Sequence, residues 1–194
     1  MTHQHQHSDH AYIQRITEQR AEKDAFFGSA AQSPIPARER AGFAGLRYYP
    51  PDPAYRVAAE LTVLPHPETI LLGSTQGDVR PQVRYAELRF TLEGEACTLV
   101  GFTDPDAKGS EHVELFVPFR DATSGSETYG AGRYLETPVR VKGDGSRSAM
   151  LDFNLAYSPW CAYNPAYSCT LPPPENRLNV SVRAGERSYH EDDH

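Results

Sequence analysis

Apolar and polar residues alternate along much of the chain after residue 55. In the segment 85–92 every second side chain is apolar, and the side chains between them are polar or aromatic. Because successive side chains of a strand point to opposite faces of a sheet, this period of two indicates a half-buried strand. The triplet Glu93-Gly94-Glu95 then predicts a hairpin turn into the next strand. The same pattern predicts about eight strands, at 55–64, 69–74, 85–92, 96–103, 112–119, 132–141, 150–156 and 177–184.

A single helical segment precedes these strands. Residues 11–27 are good helix formers without Gly or Pro, Ser8 or Asp9 can cap the start, and Gly28 ends the segment. No helical pattern separates the strands, which excludes parallel β-α-β units. The sequence therefore predicts a mainly β protein, an antiparallel β-sandwich or barrel of about eight strands with one N-terminal helix. The helix face expected to be buried carries Ile13, Ile16, Arg20, Lys23, Phe26 and Phe27.

The length of 194 residues is enough for one well-buried core and short for two. We expect a single β-rich domain over residues 11–186. Residues 1–10 form a His-rich segment with no apolar residue after Met1, and residues 187–194 are also largely polar. We expect both segments to be disordered tails, although the histidines of the first could also capture a metal ion.

Charge and composition argue against several partners and compartments. The net charge is -7, and the Lys and Arg residues form no cluster, so nucleic acid and anionic membrane surfaces are not expected partners. No apolar run approaches the roughly 20 residues of a membrane helix, and the N-terminus lacks the apolar core of a signal peptide. Three cysteines fit a reducing compartment. We therefore expect a cytoplasmic protein, and the sequence gives no indication of its oligomeric state.

Candidate chemistry concentrates in the segments 121–134 and 152–176, where Gly, Pro, Tyr, Cys and single charges crowd between short apolar runs. Two glycines precede Arg133, and successive backbone amides beside a guanidinium can hold a carboxylate or phosphate. The alternative is a turn in which Arg133 pairs with Asp121 or Asp152. In both cases we expect Arg133 to be buried, and an unpaired buried charge would cost several kcal/mol.

Asp152 and Asn154 lie on the polar face of a predicted strand, just before a long aromatic loop. They either satisfy the buried backbone of that loop or line a pocket roofed by Trp160, Tyr163 and Tyr167. The predicted ligand-binding residues are Asp121, Tyr129, Arg133, Tyr134, Asp152, Asn154, Tyr163 and Asn176.

Cys161 and Cys169 are separated by seven residues that include Pro165. This spacing and the lack of a nearby His do not fit zinc, so no metal site is predicted. A disulfide that pins the loop is possible, but two reduced thiols packed beneath it are the favoured interpretation. We expect both thiols to be inert, because no basic residue stands beside them in the sequence.

Several long strings are similar to one family. GLRYYPPDPAYRVAAEL, LFVPFRDATSGSETYGAGRYLE and LDFNLAYSPWCAYNPAYSCTLPPPENRLNVSVRAGE occur in this order, after KDAFFG and SPIP. Together they resemble the uncharacterised family catalogued as domain of unknown function 1684, over residues 18–186. The resemblance implies no activity, so the function has to be inferred from the residues.

We expect a β-domain that binds a small anion or carboxylate, without a cofactor. One alternative is a metal-independent hydrolase that uses Asp121 or Asp152 as acid or base. Another is a purely structural or interaction domain. The sequence contains no Gly-x-Ser-x-Gly elbow, no phosphate-binding P-loop and no dinucleotide fingerprint followed by a helix.

Overall fold

The computed structural model describes residues 2–107 and 113–190, and the side chains within these ranges except those of residues 2–7 and 107. In these ranges one long helix precedes seven strands, and short 3₁₀ turns lie between the helix and the first strand, between the third and fourth strands, and after the last strand. The helix α1 is Thr2–Ser29. The strands are β1 Arg56–Gly73, β2 Val79–Leu92, β3 Glu95–Thr103, β4 Glu114–Phe119, β5 Arg133–Pro138, β6 Arg140–Val141 and β7 Arg147–Asp152.

The described strands form one antiparallel sheet in the order β5-β4-β3-β2-β1-β7-β6. The predicted mainly β fold with one N-terminal helix is confirmed, but the sheet is not closed into a barrel. It bends enough for Thr137 Oγ1 on β5 to donate to the Met150 carbonyl on β7 at 3.0 Å. The two strands do not form a ladder, because the backbone of Tyr134 pairs with Tyr157 in the loop after β7.

The first hairpin contains a large irregularity. The pairing of β1 with β2 shifts register between Val63 and Glu68, where the sequence holds Pro65 and Pro67. Proline has no N–H to donate to a ladder, so a bulge is the position in which a central strand tolerates it. The segments predicted at 55–64 and 69–74 are therefore the two halves of a single strand.

The predicted hairpin between β2 and β3 is confirmed. Leu92 pairs with Glu95, and the two residues between them, Glu93 and Gly94, have φ values of 52° and 80°. Positive φ at both central residues is the geometry of a type I′ turn, which matches the twist of the flanking strands. The strand predicted at 112–119 begins at Glu114, and His112 lies outside the described residues.

The strand predicted at 177–184 is not present. Its alternating apolar residues Leu178, Val182 and Ala184 are buried in the main core, as the pattern indicated. The backbone, however, forms no ladder within the described chain: Arg177 makes an isolated bridge with Arg120, and the Ala122 amide donates to the Val180 carbonyl. The side chains of Asp121 and Arg133 bind the backbone of Val182 and Ala184, so burial alternates without a ladder.

Helix α1 begins at Thr2, nine residues before the predicted start, because no Gly or Pro interrupts the segment. Tyr12, Ile16 and Phe27 are buried on its inner face, whereas Phe26 is 41% exposed. No helix in the described part of the chain is long and apolar enough to cross a membrane.

The end of the chain packs on the domain as far as Tyr189, whose ring contacts those of Phe43 and Tyr163. Met1 and residues 191–194, which belong to the predicted tails, lie outside the described residues. The predicted domain boundaries stay a prediction.

Candidate functional site

Arg133, the first residue of β5, lies in the interior of the domain. Its guanidinium donates to the carbonyls of Val182 at 2.8 Å, Glu186 at 3.1 Å and Ala184, and to Asp121 Oδ1 at 3.4 Å. Both charged side chains are 0% exposed. Burial lowers the pKa of the Arg133 guanidinium, and the Asp121 charge opposes that shift. The predicted burial and the pairing with Asp121 are confirmed.

Asp121 binds the same C-terminal segment from the other side. Its Oδ2 accepts from the Val182 amide at 2.7 Å and from the Thr123 hydroxyl at 2.8 Å. We name Asp121, Thr123, Arg133 and the backbone of 182–186 the Arg133 cluster. Both terminal nitrogens of Arg133 are engaged by protein, and only its Nε has no partner among the described residues. Because the whole side chain is 0% exposed, this cluster holds residues 182–186 in place and presents no open face to a ligand.

Gly132 allows β5 to start in this crowded position. Its φ is +104°, and a Cβ there would lie 2.6 Å from the Phe119 carbonyl oxygen and 2.8 Å from Pro172 Cγ. Such distances exclude a side chain. The glycine that suggested an anion-binding loop instead serves close packing of the backbone.

Asp152 and Asn154 attach other elements to the sheet. Tyr12 of α1 donates to Asp152 Oδ1 at 2.7 Å. The Asn154 side chain binds both the amide and the carbonyl of Asp52, at 2.8 and 2.7 Å. Both residues are therefore structural, but they bind α1 and the backbone of residue 52, and not the backbone of the following aromatic loop as predicted.

Two further predicted residues are also buried in structural contacts. The Asn176 side chain bridges the backbone of Val100 and the carbonyl of Pro118, with distances of 2.7–2.8 Å. The Tyr163 hydroxyl donates to Glu186, the carboxylate that also binds Lys23 of α1. Tyr163 thus lies beneath α1 and is not part of a pocket roof.

A cavity of about 390 Å³ lies between strands β2, β4 and β5 and the loop that follows β7. We name it the aromatic pocket. Its wall consists of five aromatic residues and six others that are mostly polar: Phe116, Tyr134, Tyr157, Trp160, Tyr167, Arg80, Gln82, Pro159, Ser168, Cys169 and Thr170.

The aromatic rings of the pocket support one another edge to face. Phe116 and Tyr134 have centroids 4.8 Å apart, and Trp160 and Tyr167 have centroids 5.1 Å apart. Trp160 is nevertheless 40% exposed. The Tyr134 hydroxyl donates to the Thr170 carbonyl, and this bond connects β5 to the loop.

Two polar side chains reach the pocket from β2. Arg80 Nε lies 3.2 Å from Asp78 Oδ2, and its NH2 group donates to the Ser168 carbonyl at 3.4 Å. Gln82 Oε1 is buried and has no hydrogen-bond partner among the described residues. A buried acceptor without a partner costs about 1–3 kcal/mol, so a donor that enters the pocket would relieve that cost.

A hydroxyl–carboxylate cluster fixes the loop at the turn between β1 and β2. The hydroxyls of Ser168 and Ser74 donate to Asp78, and these bonds lower the pKa of that carboxyl group. Asp78 therefore remains ionised at neutral pH and orients Arg80 beside the cavity.

Cys161 and Cys169 are both free thiols. The Cys161 amide donates to Cys169 Sγ at 3.2 Å, and the Tyr129 hydroxyl donates to Cys161 Sγ at 3.5 Å. Cys161 is buried, as predicted, whereas Cys169 is half-buried and forms part of the pocket wall. Among the described residues, no group of three or more His, Cys, Asp or Glu is arranged to hold a metal ion.

Of the predicted site residues, the structure places Tyr134 in the aromatic pocket and Tyr129 against Cys161. Asp121 and Arg133 meet each other in the Arg133 cluster, and Asp152 and Asn154 meet beside α1. The sequence interpretation missed Arg80, Gln82 and Phe116, which come from β2 and β4. A polar residue on a strand gives no local signal that its side chain faces a cavity closed by a loop nearly 90 residues later.

A second cavity, of about 400 Å³, lies between β3 and residues 177–180. Its described lining contains no aromatic side chain, and it includes Cys97, Arg177 and Asn179. Ligand sites combine apolar walls with a few convergent polar groups, so the aromatic pocket is the better candidate.

The fold and site define a mainly antiparallel β protein, with one helix attached to an open sheet and an aromatic cavity beside it. The chain belongs to the family described as Protein of unknown function (DUF1684), whose model matches residues 41–187. It is similar to the solution NMR structure of an uncharacterised protein from gene locus rrnAC0354 of Haloarcula marismortui. That protein is 43% identical, the match covers 95% of this chain and 98% of that chain, and the TM-score is 0.69. No curated protein matches the chain.

Proposed function

We propose that the protein binds a small, flat organic anion in the aromatic pocket. The observation that carries this proposal is the combination, in one cavity, of aromatic walls packed edge to face, a guanidinium and a buried acceptor without a partner among the described residues. Small-molecule sites typically measure about 300–1,000 Å³. A cavity of about 390 Å³ is near the lower end of this range and fits a ligand of metabolite size.

The walls favour an aromatic or heteroaromatic ligand. Trp160 is 40% exposed beside the cavity, which leaves the edge or face of its indole accessible for ring contacts. Aromatic pairs gain about 0.5–1.5 kcal/mol beyond the area that they bury, and they constrain the orientation of a flat molecule. Aliphatic ligands of the same size would not gain this additional free energy of binding.

The polar groups of the pocket determine which charge a ligand can carry and how it is oriented. The described contacts of Arg80 engage two of its nitrogens, and its side chain is 47% exposed. A guanidinium with remaining donors binds carboxylates through charge-assisted hydrogen bonds. Gln82 Oε1 would accept from an N–H or O–H group of the ligand. These features support an aromatic acid that carries a hydrogen-bond donor.

The protein contains a single tryptophan, so tryptophan emission, excited selectively over that of tyrosine, reports on the pocket. We expect indole-free probes such as benzoate, 4-hydroxybenzoate and a pyridine carboxylate to change the Trp160 emission in a saturable manner. Benzamide, which keeps the ring without the charge, should bind more weakly. Loss of a hydrogen bond to a charged group costs about 1.5–3 kcal/mol, so Arg80→Gln should weaken carboxylate binding about 10- to 100-fold.

The matched control is Arg89→Gln, because Arg89 is also on β2 and pairs with an acidic neighbour, Glu87, but lies outside the pocket wall. This variant should bind the probes as the wild type does. The proposal fails if none of the carboxylates changes either the emission or the melting temperature at millimolar concentration. It also fails if the two arginine variants weaken binding equally.

A further inference from the structure

We propose that Cys161 and Cys169 form a peroxide-reactive dithiol, in which Cys161 is the nucleophile and Cys169 resolves the product to a disulfide. This reaction is independent of ligand binding in the aromatic pocket and is tested without a ligand. It also departs from the sequence interpretation, which expected two inert thiols.

Hydrogen bonds within the loop and from the turn between β1 and β2 hold the two cysteines together. The Cys161 amide donates to Cys169 Sγ at 3.2 Å, which brings the two residues within contact across the loop. Thr75, in the turn between β1 and β2, binds the backbone of Cys169 in both directions, at 2.9 and 3.1 Å. This clasp fixes Cys169 beside Cys161, so a disulfide can form without unfolding of the loop.

Hydroxyl groups take the role that a basic residue plays at other reactive thiols. The Cys169 thiol and the hydroxyls of Tyr129 and Thr75 donate to the Cys161 sulfur, and they lower the pKa of Cys161 to about 6 although burial acts in the opposite direction. The same contact raises the pKa of Cys169, because its proton is held by Cys161. The lowered pKa and the hydrogen bond from Tyr129 favour the thiolate form of Cys161, which is the reactive form of a cysteine.

The surroundings limit which oxidants can enter. Cys161 is 9% exposed, and Cys169 forms part of the aromatic pocket, from which a small molecule can approach the pair. Tyr129 donates to Cys161, and burial raises the pKa of Tyr134, which therefore keeps its proton around pH 7. The carboxylate of Asp78, which binds Ser168 beside Cys169, is paired with Arg80, so its charge is offset where a peroxide would approach.

The chemistry balances with a hydroperoxide as oxidant. The Cys161 thiolate attacks one peroxide oxygen, the O–O bond breaks, and a proton from solvent completes the leaving water or alcohol. Cys161 becomes a sulfenic acid. The Cys169 sulfur then attacks the Cys161 sulfur, its proton leaves with the hydroxyl as a second water, and a disulfide results. The two thiols are oxidised by two electrons, and the peroxide is reduced.

The test uses the full-length reduced protein and dilute hydrogen peroxide at pH 7. Mass spectrometry of the wild type should show loss of two hydrogen atoms and a peptide cross-linked between Cys161 and Cys169. A thiol reductant should reverse the change. The internal control is Cys97, whose pKa is raised by burial in the main core. We expect Cys161 to react at least roughly tenfold faster than Cys97, as its thiolate character requires.

Variants assign the two roles. In Cys169→Ser, the sulfenic acid should persist on Cys161 and be trapped by dimedone. In Cys161→Ser, the fast reaction should be lost, while Cys97→Ser should behave as the wild type. Tyr129→Phe should move the midpoint of the alkylation profile of Cys161 towards higher pH, an effect that a merely structural role would not produce.

Three results would overturn the proposal. The first is a wild-type protein whose Cys161 and Cys169 react no faster than Cys97. The second is a cross-link that forms only between two molecules. The third is dimedone labelling of Cys169 in place of Cys161 in the single-serine variants.

Discussion

The Arg133 cluster and the aromatic pocket meet at β5, where Arg133 belongs to the first and Tyr134 to the second, and they have opposite character. In the cluster, the guanidinium of Arg133 and the carboxylate of Asp121 are fully buried, and protein groups satisfy each terminal nitrogen. In the pocket, Arg80 is 47% exposed and Gln82 Oε1 has no partner among the described residues. Similar residue types therefore serve to hold the fold in one region and remain available to a ligand in the other.

The difference shows that a cavity beside the polar groups, more than residue type, separates the two regions, since Arg133 Nε also lacks a partner among the described residues but borders no pocket wall. A fully buried charge whose terminal nitrogens all bind protein groups presents no donor to a ligand. A partly satisfied group beside a cavity remains available to a ligand at the cost of some stability. Substitutions in the cluster should thus change stability, and substitutions in the pocket should change binding.

The largest effect is expected for Arg133→Met. This change leaves Asp121 buried without its cation and the carbonyls of Val182 and Ala184 without donors, and removal of one partner of a buried pair typically costs about 3–5 kcal/mol. Urea unfolding should show this loss in the free energy of unfolding. Arg183→Met is the control from the same segment, since its pair with Glu127 is exposed and should contribute little. A small effect at Arg133 would mean that the cluster is not the structural element described.

A smaller loss is expected for Asn176→Ala. The Asn176 side chain is buried and binds the backbone of Val100 and Pro118, so the variant leaves donors and acceptors unsatisfied at a cost of about 1–3 kcal/mol. Thermal unfolding measured in parallel with Asn179→Ala provides the comparison, because Asn179 is exposed on the same segment. Equal melting temperatures for the two variants would contradict this assignment.

Much of the fold could be predicted because burial leaves a periodic trace in the sequence. The period of two identified β2, β3 and β4, and Gly94 identified the turn between the first two. The same period wrongly predicted a strand at 177–184, because alternating burial does not specify which groups bind the backbone. At this segment the partners are the side chains of Asp121 and Arg133, which the sequence places about 50 or more residues away.

The site was harder to predict, because it is formed by residues that are distant in the sequence and meet only in the fold. Arg133 was correctly expected to be buried and paired, since two glycines and aromatic neighbours enclose it locally. The pocket, however, requires Arg80 and Gln82 from β2 to meet Trp160 and Tyr167 from a distant loop. The reactivity proposed for Cys161 likewise depends on hydroxyls of Thr75 and Tyr129, so the immediate neighbours of the cysteine gave no signal.

Backbone amide NMR of the full-length protein during titration with 4-hydroxybenzoate tests the central claim most directly. The account predicts concentration-dependent shifts at residues 80–82 and 157–170, around the aromatic pocket, with the amides of 121–124 and 182–186 unchanged. Shifts concentrated in those two segments, or an unchanged spectrum at millimolar ligand, would contradict it.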